Sequence, residues 1–511
     1  MKGAQTIDNM LSFIGCIQKQ LSLNKCLYVA MVDFRKAFNY VNRSILFFKL
    51  IQSGLTGRIV KLLKDMYSKI KAKIKVGNWL YDWLIDESGT NQGGPLSPNM
   101  FRRMLCNLKN YLDINHGVVI DDDEILVHLL WADDLVLMAS SAEGLQKQLD
   151  GLHRFCSKYQ LIVNTLKTRI MLYGNIRGSV QFMFNNEVLE ECQTYKYLGV
   201  LFSPIKTANG NIFRDMYKYV TEKSRRASFV ATRKCAGIGK MTPKVGLHLY
   251  DSFVRSVTEY GCEIWSLGKE FQEIETVQLR FIKMLLGVKL STANVAIYAE
   301  TARYPSFINF QLKTVKFYLR LLQMNNNSIV KKVFLELSKL DHLGLTTCNW
   351  VSNVKNMFYR CKIHDLIPVN IIEDKKSDAL INVIKKRLQD NFQSQCMFTI
   401  NNMPILRTYC KFKYVFEAEP YLRTITSYNI RSMLSKFRLS SHVLEIEKGR
   451  HNKVLLADRI CKACDLNQIE DEIHFFLYCP LYTKERSMFF KLCDINKTIT
   501  ISDECNFIGS R

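Results

Sequence analysis

The sequence predicts an α+β fold. Short apolar runs rich in strand formers alternate with helix-period segments over roughly the first 200 residues, and helical spacing dominates afterwards. Of the 511 residues, 48% are hydrophobic, the content of a folded globular chain and not of a disordered one. Lys and Arg number 71 against 47 Asp and Glu, giving a net charge of +24 and a pI near 9.3. That balance points to a polyanionic partner, with nucleic acid first and an anionic membrane surface second. The start has no basic region leading into an apolar signal core, and no apolar run is long enough to span a bilayer. The expectation is a soluble intracellular protein without a membrane partner, its sixteen cysteines mostly reduced, in a nuclear or cytoplasmic location left open.

"LYVAMVDF" (27–34) reads as a strand ending in an acid, and "AFNYVNRSILFFKLIQSG" as a helix closed by Gly54. "AKIKVG" and "WLYDWLID" form a hairpin within 68–87, followed by the loop "ESGTNQGGPLSP" and a helix from about Asn99. "EILVHLLW" and "LVLMAS" are two strands separated by "ADD", and 143–160 has helical spacing. "IMLYG" and "YLGVLF" are further strands. Phe271, Ile274, Val277, Phe281, Leu285 and Val288 mark the core face of a helix ending near Gly287, and Ser328 is the expected N-cap of another. Residues 340–425 carry no clear signal.

Asp33 ends one strand, and Asp133 with Asp134 occupies a hairpin turn inside an apolar run. A sheet pairing these strands would gather three carboxylates, a site for hard cations such as Mg²⁺ and for two-metal phosphoryl transfer. The competing reading is a solvated turn. Farther on, Cys461 and Cys464 are spaced C-x2-C, and His474 and Cys479 follow as H-x4-C after nine residues, a ligand set for one structural Zn²⁺ or else a reduced metal-free segment. Arg214, Lys218, Lys223, Arg225, Arg226, Arg233, Lys234, Lys240 and Lys244 form a basic helical stretch, suited to a phosphate backbone or simply to solvent.

Five blocks occur in order: "VDFRKAFNYVN" (32–42), "GTNQGGPLSPNMF" (89–101), "WADD" (131–134), "NTLKT" (164–168) and "YKYLGV" (195–200). Together they resemble the palm of non-LTR (LINE-type) retrotransposon reverse transcriptases. "YGCEIW" (260–265), "LRFIKMLLGV" (279–288), "KFRLSSHVLEIEKGR" (436–450) and the Cys/His segment resemble the C-terminal half of such proteins. The resemblance implies a polymerase palm, an antiparallel sheet with packed helices and partial fingers over 1–205. It further implies a thumb-like helical domain over 206–300, a helical region over 301–435 and a CCHC zinc-binding element over 436–511. It places the start of the chain inside the fingers, after any endonuclease domain.

The resemblance also implies roles. Asp33, Asp133 and Asp134 would bind two Mg²⁺ ions, with the backbone of Phe34 beside the incoming dNTP. Phe38 would close over the sugar and exclude a 2′-hydroxyl. Gln92 and Gly93 would contact the nascent base pair, Trp131 would lie under the primer, and Leu198 and Gly199 would turn the hairpin that positions the primer terminus. Lys167 would protonate the departing pyrophosphate, or else is a surface lysine. Arg225, Arg226, Arg233 and Lys234 would track the phosphate backbone. Asn39 stands where the family has an acid and is expected to cap the next helix; Trp131 stands where Tyr or Phe is more common. The implied activity is RNA-directed DNA synthesis, with an RNA template, a DNA primer or target DNA and dNTPs as partners. A truncated, inactive retroelement product that only binds nucleic acid is the alternative.

Overall fold

The computed structural model describes residues 5–68, 70–85, 88–90, 94, 96–237, 242–268, 272–345, 349–367 and 374–492. Strands β1 (Leu27–Val32), β2 (His128–Trp131), β3 (Asp134–Ala139), β4 (Arg169–Tyr173), β5 (Phe182–Phe184) and β6 (Glu187–Glu191) make one sheet in the order β5-β6-β4-β1-β3-β2. All pairs are antiparallel except β4 with β6.

The three central strands are buried on both faces, which is why they read as unbroken apolar runs. Leu27, Val29 and Met31 of β1, Val136 and Met138 of β3, and Met171 and Tyr173 of β4 enter one core cluster. Ala30, Val32, Leu135, Leu137, Ala139 and Ile170 enter the other. The first face is covered by helix α1 (Thr6–Ser22), against which Ile329–His342 packs, with Ser306–Gln323 and Trp350–Arg360 in the same apolar cluster. A single apolar cluster thus runs from Ile7 to Leu388 and joins the palm sheet to the later helices. The second face is covered by α2 (Arg43–Gln52), α3 (Gly57–Ser68), α4 (Ser97–Met104) and α5 (Ala142–Tyr159).

Several elements differ from the sequence reading. The helix after Asp33 begins at Arg43 and not near Ala37, because Asn42 caps it by accepting from Ile45 N at 3.1 Å; Asn39 caps nothing there. "EILVHLLW" is two strands: Glu124–Leu126 pairs with Val118–Asp121, while β2 pairs with β3. The 71–85 hairpin is likewise broken into two short rungs, Lys71–Ala72 with Leu84–Ile85 and Lys75–Val76 with Trp79–Leu80. Ser328 stands at the start of its helix, but its hydroxyl donates to Asn325 O and makes no cap bond. Residues 340–425, without a clear signal in the sequence, contain helices Trp350–Arg360 and Asp374–Asn402. The helix marked by Ile274, Val277, Phe281 and Leu285 is present as Gln272–Leu286 with those four buried; Phe271 lies outside the described residues. Among the described residues, no helix is long and apolar enough to cross a membrane.

Candidate functional site

The site is built where β1 ends beside the β2–β3 turn. Val32 lies opposite Leu135, so the next residue, Asp33, falls beside Asp134. Trp131 pairs directly with Asp134 across a two-residue turn made by Ala132 and Asp133, with Ala132 at φ 53°. Asp33 and Asp133 are half-buried, and Asp134 faces solvent on one side. Burial of the remainder, then the charges of Asp133 and Asp33, push the Asp134 carboxyl up to about 6. Burial and the charges of Asp134 and Asp33 also raise the Tyr195 phenol, which places Tyr195 at the same cluster.

The loop after β1 is held by backbone bonds to the segment before β4. Asn164 N donates to Asp33 O at 2.8 Å, Arg35 N to Ile162 O at 2.8 Å, and Asp33 N to the Thr168 hydroxyl at 3.2 Å. Met31 lies opposite Arg169 at the end of the β1–β4 pairing; beyond it the register changes, with a turn at 165–167 and Phe34 opposite Val163. Lys167 is exposed and ends that turn, which its N–H closes on Asn164 O at 3.1 Å. Thr168, fully buried, is a site residue that the sequence reading passed over.

Phe34 is buried and bridges to Val163, with its ring 5.9 Å from Phe101. Phe38 is half-buried, with its ring 5.4 Å from Phe101. Thr90 N donates to Phe38 O at 2.7 Å, and a Cβ on Gly89 would come within 2.6 Å of the carbonyl oxygens of Phe38 and Asn39. The loop toward "NQGG" is thereby pressed onto Phe38. Gln92 and Gly93 themselves lie outside the described residues.

Leu198 and Gly199 form the turn of a hairpin, Tyr195–Tyr197 with Val200–Phe202. Gly199 has φ +86°, and a Cβ there would meet Tyr260 Cε1 at 2.6 Å, so only glycine fits. The Tyr260 hydroxyl donates to Leu198 O at 2.9 Å, and Trp265 Nε1 donates to Tyr260 O at 2.9 Å. "YGCEIW" is therefore the clamp on this hairpin, a role its sequence did not reveal although the block had stood out.

Arg225, Arg226, Arg233 and Lys234 are exposed along α6 (Met216–Gly237), and Arg226 pairs with Glu222. Lys240 lies outside the described residues. At the C-terminal end, Cys461, Cys464, His474 and Cys479 offer ligand atoms that all lie within 4.8 Å of one another. Ile460 bridges to Ile469, Cys461 N donates to Gln468 O at 2.9 Å, and His474 and Cys479 flank the π-helical turn His474–Tyr478. His474 Nδ1 meets Gln468 Oε1 at 3.1 Å, which leaves Nε2 aimed at Cys464 Sγ, 3.4 Å away. Three thiols and an imidazole at this spacing form a possible metal site.

Glu472, also absent from the sequence reading, mounts this element. Fully buried, it receives Arg407 Nη2 on both oxygens at 2.9 Å, the Thr408 hydroxyl at 2.9 Å and His442 Nε2 at 2.8 Å. Burial alone would raise its carboxyl, but His442 and Arg407 outweigh that and hold it at about 2.

A β-hairpin carrying paired acids beside a third acid, with helices on both sheet faces, defines a polymerase palm. Residues 1–202 match the family described as reverse transcriptase (RNA-dependent DNA polymerase). Curated relatives include a Pol polyprotein from the type-1 retrotransposable element R2 of Nasonia vitripennis, 26% identical over 39% of this chain and 21% of that protein. The RNA-directed DNA polymerase from mobile element jockey of Drosophila funebris is 21% identical over 50% of this chain and 28% of its own length. A Pol polyprotein from the R2 element of Popillia japonica is 24% identical over 58% of this chain and 41% of its own. The resemblance to non-LTR retrotransposon reverse transcriptases holds, and the chain spans less than half the length of each of these relatives.

Proposed function

We propose that this chain is an RNA-directed DNA polymerase that extends a DNA primer, or target DNA, on an RNA template using dNTPs. One observation carries the reading: Asp33 lies beside the Asp133–Asp134 turn, where burial, and then the charges of Asp133 and Asp33, raise the Asp134 carboxyl to about 6. Such mutual repulsion is what a bound cation relieves, and the all-carboxylate donor set fits two Mg²⁺ ions held by Asp33, Asp133 and Asp134. Bound there, the ions would supply activation of the primer 3′-oxygen and charge stabilisation at the reacting phosphate.

The chain's own residues do the rest. The backbone at Phe34 lies beside the triphosphate, and the Phe38 ring, braced by Phe101, closes over the sugar and leaves no room for a 2′-hydroxyl. Gln92 and Gly93 are assigned to the nascent base pair on the resemblance alone. Trp131 supports the primer terminus, which the Leu198–Gly199 turn holds in place. As the α-phosphate bonds to the primer 3′-oxygen and pyrophosphate leaves, Lys167 Nζ delivers a proton to the departing oxygen. Arg225, Arg226, Arg233 and Lys234 contact the duplex backbone without reading sequence. The division into a palm over 1–205, a thumb over 206–300, a helical region over 301–435 and a terminal element over 436–511 belongs to the same reading. In that element Cys461, Cys464, His474 and Cys479 hold one structural Zn²⁺, for which three sulfurs and one nitrogen are suitable donors.

The test is incorporation on a primed RNA template, with dNTPs and rNTPs offered separately. Extension with dNTPs and not rNTPs supports the reading; a chain that shifts the primed template yet adds nothing overturns it.

A further inference from the structure

The 71–85 hairpin is not used by the mechanism above. Two of the chain's five tryptophans stand on it, and both are exposed: Trp79 at 80% and Trp83 at 61%, with Tyr81 at 59% between them. The other three, Trp131, Trp265 and Trp350, are half-buried or buried. An aromatic ring this large left in water gains nothing from folding, so its placement needs another cause.

Strand pairing sorts the side chains. Val76 lies opposite Trp79, and Tyr81 N donates to Ile74 O at 2.9 Å, so Ile74, Val76, Trp79 and Tyr81 share one face. Lys71, Lys73 and Lys75 alternate with them, and Lys73 Nζ lies 4.7 Å from the Trp83 ring centre. Over 70–85 these three lysines oppose a single acid, Asp82. The adjoining helix α3 adds exposed Arg58, Lys61 and Lys64.

The base of the hairpin is anchored at the site. Arg43, the first residue of α2, donates to Tyr67 O at 3.0 Å on one side, and to Ser88 O and Gly89 O at 2.8 Å on the other. Gly89 in turn packs on Phe38. The hairpin thus projects from the same loop that borders the sugar pocket. Aromatic rings interleaved with lysines match a single-stranded polynucleotide, whose bases offer flat faces and whose phosphates offer regular charge.

We propose that this hairpin is a stacking platform for single-stranded nucleic acid, with bases on the face of Trp79 and Tyr81 and the phosphates passing its edge, within reach of the long side chains of Lys71, Lys73 and Lys75 on the other face. The inference rests on the nucleic-acid reading above and adds a site to it. The exposed positions allow substitution without disturbing the core.

The experiment measures binding of a labelled single-stranded RNA and of a blunt duplex to the full chain over a salt series. Trp79→Ala/Tyr81→Ala is expected to weaken single-strand binding by about tenfold or more, with duplex binding unchanged and Trp79→Phe close to wild type. Lys71→Gln/Lys73→Gln/Lys75→Gln is expected to reduce the single-strand salt slope by about 2. Unchanged single-strand affinity in the aromatic double variant overturns the platform while leaving the polymerase reading intact. Unchanged affinity combined with self-association that only the double variant loses overturns it in favour of a protein contact. A wild-type chain without affinity for either probe sinks both readings, whereas strong single-strand binding without primer extension sinks the polymerase alone.

Discussion

Tyr260 and Leu198, sixty-two residues apart, are joined by a hydrogen bond of 2.9 Å from the phenol to the turn carbonyl. The ring of Tyr260 also occupies the space that a side chain on residue 199 would need. The turn's conformation and the clamp are therefore mutually dependent. Tyr260→Phe is expected to cost about 1 kcal/mol, the value of one neutral hydrogen bond, and Tyr260→Ala more, since the packing goes as well. Urea unfolding reads the stability change. Under the proposed role of this turn in positioning the primer terminus, both substitutions should lower the rate of extension more than the affinity for primed template. An affinity loss with an unchanged rate would contradict that positioning.

Phe38 is expected to set sugar selectivity. Phe38→Val should raise incorporation of ribonucleotides relative to deoxynucleotides by about tenfold or more, since it removes a steric contact worth more than one methylene. Single-nucleotide incorporation with paired dNTP and rNTP reads the ratio, and an unchanged ratio would assign discrimination elsewhere.

His128 gives a pH dependence away from the carboxylates. Burial, and secondarily Lys109, depress its imidazole from 6.5 to about 4. The unfolded chain binds the proton more readily, so this contribution is complete above pH 6.5 and is lost as pH falls toward 4. By pH 5 the loss is about 2 kcal/mol. His128→Gln should flatten that part of the acid limb in urea unfolding between pH 7 and pH 5. A variant that keeps the full wild-type slope would show that His128 is not its source.

The terminal element is expected to hold about one equivalent of Zn²⁺, lost in Cys461→Ser/Cys464→Ser. Glu472→Gln removes one of the two carboxylates, with Glu447, that balance Arg407 and should lower both stability and zinc retention. Metal analysis of the purified chain before and after a chelator decides both points. Wild-type protein without zinc would contradict the assignment.

The carboxylate cluster could be read in the sequence because its supports are local and strongly patterned. Buried on both faces, β1 and β3 appear as unbroken apolar runs, and acids at their ends stand out against them. The hairpin turn at Ala132–Asp133 is likewise legible from short-range pattern, whereas "YLGVLF" reads as one strand and is in fact broken by the Leu198–Gly199 turn, which only the resemblance implies. What escaped depends on contacts distant in sequence. Thr168 meets Asp33 across 135 residues, and Glu472 meets Arg407 across 65. Neither residue differs locally from a surface threonine or an acidic turn. The start of α2 was misplaced because Asn39 and Asn42 are both competent caps, and only the bond to Ile45 separates them. Helix Asp374–Asn402 was missed because its many polar residues blur the apolar stripe that packs Ile384, Leu388, Cys396 and Ile400.

The most direct test of the central claim is single-turnover primer extension on an RNA template with Mg²⁺ and dNTPs, comparing wild type with Asp133→Ala/Asp134→Ala. Extension by wild type, abolished in the double variant while binding of the primed template is retained, is the expected result. Equal extension by both chains, or none by a wild-type chain that binds the primed template, would contradict the assignment of Asp33, Asp133 and Asp134 as the polymerase centre.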